Sequence, residues 1–66
     1  MKSETRNVLL RAYAQLHRII DELYSAHEVA AANDDDDDAS LLESRADKLY
    51  EEAENLYLVI SELEEE

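Results

Sequence analysis

The residues with the most capacity for chemistry are five consecutive aspartates, Asp34 to Asp38, and two histidines, His17 and His27. An aspartate run points first to a hard cation such as calcium. An EF-hand loop, however, needs acids at alternate positions, a central glycine and a bidentate glutamate in twelfth place. Counted from Asp34, the sixth residue is Ala39 and the twelfth is Arg45. The run therefore reads as a solvated turn whose last acids favour the N-terminus of a following helix. The histidines do not share a helical face. A metal site in a helical bundle combines inward glutamates with Glu-x-x-His pairs, and the sequence contains no such pair. Asp21 follows His17 by one helical turn, which predicts a surface hydrogen-bonded pair. His27 is expected to point into a helix seam near the turn, as a pH-sensitive core group. No metal ligand set and no cofactor site are assigned.

Nucleophilic catalysis has as little to work with. Cysteine and glycine are both absent, so there is no thiolate and no glycine-built oxyanion or phosphate loop. Ser25 and Ser44 fall on helix exteriors. The eighteen acidic residues avoid the apolar heptad positions where burial would make a carboxyl a useful proton donor; Glu43 and Glu64, at e, are the nearest. The chain is expected to be non-catalytic, with no catalytic residue.

What would position these residues is a pair of heptad-patterned segments, again without proline. In the first, Leu9, Leu16, Leu23 and Ala30 occupy d, and Tyr13, Ile20 and His27 occupy a. Ala12, Ile19 and Ala26 at g, with Leu10, His17, Tyr24 and Ala31 at e, widen the apolar stripe beyond a two-stranded seam. In the second, Leu42, Leu49, Leu56 and Leu63 occupy d, and Ala46, Ala53 and Ile60 occupy a. Alternating alanine and leucine lets helix axes approach closely. Tyr50 and Tyr57 flank this seam at e. The pattern predicts one all-α domain over residues 1–66: a helix over about 4–32, an acidic turn over 33–38 and a helix over about 40–64. Ser3 or Thr5 is the expected N-cap of the first helix and Asn33 the left-handed residue after it; Ser40 and Glu43 form a capping box for the second. So short a connection makes the helices antiparallel neighbours, with Glu62 and the Glu64–Glu66 tail near Lys2 and Arg6.

A hairpin of this size buries little apolar surface, and no disulfide can staple it. Leu10, Val29, Leu41, Leu58 and Val59 lie off the intramolecular seam. The expected remedy is a homodimer of two hairpins in a four-helix bundle. Its core and dimer residues would be Leu9, Tyr13, Leu16, Ile20, Leu23, His27, Leu42, Ala46, Leu49, Ala53, Leu56, Ile60 and Leu63.

Charge narrows the choice of partner. Residues 1–33 balance Lys2, Arg6, Arg11 and Arg18 against Glu4, Asp21, Glu22 and Glu28, so the net charge of −12 belongs to residues 34–66. That surface repels nucleic acid and anionic membranes and favours a basic protein. Asp47, Glu51, Glu54 and Glu62 are the candidate face for such a partner, possible mimics of nucleic-acid phosphates in a small regulator. The alternative is that the charge keeps an acidic scaffold protein of a halophile in solution. The opening Met1–Arg6 lacks the form of a signal peptide, and the apolar run Val8–Leu10 stops at Arg11; the expected location is cytoplasmic, away from membranes.

Helix two contains Glu43-Ser44-Arg45-Ala46-Asp47-Lys48-Leu49-Tyr50, preceded by an aspartate-rich turn and followed by Ala53. This segment resembles the second helix of the Rop family, the plasmid RNA-one-modulator proteins, over roughly residues 39–57. The resemblance implies a helical hairpin that dimerises into an antiparallel four-helix bundle. It also implies an RNA-contacting face on helix one, built in the family from an asparagine, an aromatic residue and a glutamine at four-residue spacing. Aligned core positions put Arg11, Gln15 and Ile19 there, none of which matches. The other register gives Asn7, Arg11 and Gln15. An RNA-binding regulator would use Arg11, Gln15 and Arg18.

Overall fold

The computed structural model describes residues 1–63 and consists there of two α-helices, α1 (Ser3–Ala32) and α2 (Asp36–Leu63), in an antiparallel hairpin 50 Å long. The helices form because alanine, leucine and glutamate dominate both segments and no glycine or proline interrupts them. They are held together by one apolar seam. Cross-helix contacts between Tyr13 and Tyr57, His17 and Tyr50, Tyr24 and Asp47, and His27 and Ala39 fix the register. By that register Leu16 meets Ala53, Leu23 meets Ala46, and Ile20 meets Leu49, so large side chains oppose smaller ones along much of the hairpin.

Burial follows the heptad. Ile20 and Ala30 of α1 and Ala39, Ala46, Ala53 and Ile60 of α2 are buried. The four on α2 recur every seven residues at position a, the line on which α1 rests. Position d points about 60° to one side at 3.6 residues per turn, so two helices cover it only on one flank. Leu9, Tyr13, Leu16, Leu23, His27, Leu42, Leu49 and Leu56 are accordingly half-buried. Leu63, assigned to the core by its heptad letter, is instead 54 % exposed; by the register it stands beyond Leu9, against the first turn of α1, where only polar side chains stand.

The connection departs from its expected extent. The turn over 33–38 shrinks to Asn33–Asp35, because Asp36, Asp37 and Asp38 form the first turn of α2. Carboxylates at a helix N-terminus face the positive end of its dipole, which favours helix there over turn. Asp35 accepts the Ala39 N–H at 2.9 Å, so Ser40 and Glu43 lie inside the helix rather than capping it. The left-handed residue is Asp34, with φ 63°, and not Asn33, with φ −95°. The Asp35 N–H donates to the Ala30 carbonyl at 2.9 Å and the Asp34 N–H to Ala31 at 3.1 Å. That pair of bonds is a Schellman closure, satisfying carbonyls that the end of α1 would otherwise leave open.

At the other end, Lys2 occupies the N-cap without a side-chain cap, and its carbonyl accepts the Arg6 N–H at 3.0 Å. Ser3 and Thr5 are thus helical residues and not caps. The Met1 ammonium donates to the Leu63 carbonyl at 3.1 Å, bringing both chain ends to one end of the hairpin. The acidic tail Glu64–Glu66 lies outside the described residues.

Candidate functional site

The outer face of α2 is built by spacing alone. Asp47, Glu51 and Glu54 fall one turn apart on a single row that continues through Leu58 to Glu62, and all five are exposed. Ser40, Glu43, Ser44, Asp47, Lys48 and Glu51 line a shallow open groove beside that row. One member of the row is anchored within the hairpin: the Tyr24 hydroxyl donates to an Asp47 carboxylate oxygen across the helix pair. Hydrogen bonding to Asp47 is the largest cause that pushes Tyr24 up to about 12. Desolvation and the negative charges of Asp47 and Glu43 add to it. The pattern of single-helix periodicity did not reveal this bond; the signal would have been Tyr24 and Asp47 occupying the same level once the two heptads are laid antiparallel.

Arg11, Gln15 and Arg18 lie on consecutive turns of α1 and are exposed. They form one row, so the candidate RNA face is geometrically continuous. It stands on the helix whose charges nearly balance.

Between the two helices an aromatic cluster fills the flank defined by position e. Tyr13 and His17 meet edge to face at 4.7 Å, His17 meets Tyr50 in the same way at 6.0 Å, and Tyr13 lies 5.7 Å from Tyr57 at a tilt of 38°. Such offset and edge-on contacts suit the ring quadrupoles. His17 therefore turns inward, and its Nε2 is buried without a hydrogen-bond partner. The expected surface pair with Asp21 does not form, because two tyrosine rings, Tyr13 and Tyr50, offer the imidazole more contact than one solvated carboxylate. His27 does enter the seam near the turn. Its Nδ1 lies 2.9 Å from the Ala39 carbonyl; since a carbonyl only accepts, Nδ1 carries the proton.

The aspartates of the turn line a shallow, open surface. Among the described residues, no three His, Cys, Asp or Glu side chains converge on a common metal position. Nor is any helix among them long and apolar enough to cross a membrane.

The chain matches no family model, no curated protein and no solved structure. The functional reading therefore rests on the surface itself.

Proposed function

We propose that this protein is a non-catalytic, homodimeric helical bundle that binds a basic protein partner through the outer face of α2. The observation that carries the reading is the exposed row of carboxylates Asp47, Glu51, Glu54 and Glu62 arranged around exposed Leu58. A cationic helix with one apolar side chain set between its last two cations matches that row in charge and in spacing. Dimerisation is supported by the half-buried leucines at d, which a second hairpin would cover. The same carboxylates, spaced along one face, would let the bundle occupy a nucleic-acid site on its partner.

The test is a binding titration with a synthetic lysine- and leucine-rich amphipathic helix as probe. Binding should weaken about fivefold for each of Glu51→Gln and Glu54→Gln, which corresponds to roughly 1 kcal/mol for an exposed charge pair at contact, and should be unchanged by Arg11→Ala/Arg18→Ala. Equal binding by the glutamine variants would overturn the assignment of the face.

A second reading, an RNA-binding regulator, is favoured by the continuous exposed row of Arg11, Gln15 and Arg18 on α1. It requires affinity for a structured RNA that is lost in Arg11→Ala/Arg18→Ala and falls steeply with salt. If neither probe binds and the chain folds only in concentrated salt, the charge is that of a halophile's scaffold protein.

A further inference from the structure

A second apolar stripe runs along α1 outside the hairpin seam. Val8, Ala12, Gln15, Ile19, Glu22, Ala26 and Val29 alternate at spacings of four and three, so they fall on one nearly straight line of the helix surface. Val8, Ile19 and Val29 are 55 %, 45 % and 61 % exposed. Glu22 is the single charged member. The stripe borders the half-buried Leu9, Leu16 and Leu23, with which it forms a continuous apolar surface.

The stripe reads almost the same in both directions. Around Ile19 the outward neighbours are Gln15 and Glu22, then Ala12 and Ala26, then Val8 and Val29. An interface between two identical chains related by a two-fold axis must complement itself in this way, residue i meeting j while j meets i. We infer that a second copy of this chain docks with its α1 antiparallel to this α1, about a two-fold axis through Ile19. Ile19 then meets Ile19 of the partner subunit, and Ala12 lies against Ala26 of the partner subunit. Val8 lies against Val29 of the partner subunit. Alanine at both intermediate levels lets the axes approach closely.

The polar pair supports this arrangement. Gln15 meets Glu22 of the partner subunit, where an amide N–H can donate to a carboxylate; a carboxylate at both positions would repel. The charge distribution agrees, because α1 is nearly neutral, with three arginines against four acids, and two copies meet without the repulsion that two outer faces of α2 would suffer. The hairpin register carries the same axis across α2 near Tyr50. There Lys48 comes level with Glu52 of the partner subunit.

This inference rests on the homodimer proposed above, and the experiment separates the two. Because the chain has no cysteine, Ile19→Cys and Val8→Cys each carry one nitroxide label, and distances are read by electron spin resonance alongside sedimentation of the unlabelled chain. The expected result is a dimer with strong dipolar broadening at position 19. Labels at position 8 should lie about 33 Å apart, since eleven residues separate each from the axis at 1.5 Å rise. Close approach at both positions would overturn the antiparallel orientation. A dimer with well-separated labels at position 19 would overturn this face and leave the homodimer standing. A wild-type chain that stays monomeric at every concentration would overturn both. Should Ile19→Cys itself dissociate, Arg18→Cys, which borders the stripe without belonging to it, supplies the near-axis distance.

Discussion

Ile19 and Ile20 are adjacent in sequence and opposite in environment, and replacing each by alanine separates what the hairpin holds from what lies outside it. Ile20 is 2 % exposed. Removing three carbons from it forfeits about 2.4 kcal/mol of transfer free energy at roughly 0.8 kcal/mol per buried methylene. The void left behind adds up to about 1.5 kcal/mol where the walls fail to close. Two helices joined at one end can close partly, so the expected loss is about 2.5–3.5 kcal/mol. Ile19 is about half exposed within one hairpin, so Ile19→Ala should cost roughly 1 kcal/mol there, with no void term. The assay is urea unfolding followed by far-ultraviolet circular dichroism, compared at constant m and at low protein concentration. At high concentration the Ile19→Ala loss should grow toward that of Ile20→Ala, because association stabilises the folded chain by mass action. An Ile20→Ala loss below about 1 kcal/mol, or one smaller than that of Ile19→Ala in dilute solution, would refute the seam described here.

Four further outcomes are expected. Asp34→Gly should stabilise the fold by about 0.5–1 kcal/mol in thermal unfolding, since glycine adopts the left-handed conformation without the steric penalty a Cβ incurs. Ala53→Leu should destabilise by about 1–3 kcal/mol, because Ala53 is fully buried opposite Leu16 and has no room to grow. Tyr24 should ionise near 12 in an ultraviolet absorbance titration, and Asp47→Asn should bring it back toward 10. Because the folded value is the higher one, the contribution of Tyr24 to stability is complete below pH 10 and is lost as pH rises toward 12. Added sodium chloride should raise the melting temperature, by screening a net charge of −12 concentrated in residues 34–66.

The helices were legible because their signal is repeated many times over: leucine and alanine at heptad spacing leave one geometry for each segment. The turn was less so, since an aspartate satisfies two environments, a solvated loop and the first turn of a helix. Ala39, which continues the seven-residue series of Ala46 and Ala53 back to the start of α2, is hidden from a sequence reading for that reason. Asn33 and Asp34 both tolerate the left-handed conformation, and only the closing hydrogen bonds to Ala30 and Ala31 choose between them. His17 was placed by its own helix, where Asp21 is the nearest polar group. Its actual neighbours Tyr50 and Tyr13 become visible only when the second helix is laid alongside. Legible from spacing alone were the acidic row on α2 and the basic row on α1, because each needs nothing beyond the pitch of a single helix.

The closure at Asp34 also governs which of two shapes the chain takes. If Asn33–Asp35 returned to helical dihedrals, α1 and α2 could fuse into a rod about 90 Å long from Ser3 to Leu63, at 1.5 Å per residue. Two such rods could exchange halves and rebuild every seam contact between chains. Nothing in the apolar pattern forbids the exchange. The aspartates disfavour it: in a continuous helix Asp34 and Asp35 would stand one turn from Asp38, and like charges at that spacing destabilise by a few tenths of a kcal/mol per pair. In the hairpin, by contrast, three of the five carboxylates sit at a helix start that welcomes them. The aspartate run thereby biases the chain against domain swapping. Replacing the run by alanines would remove that bias while leaving the seam untouched.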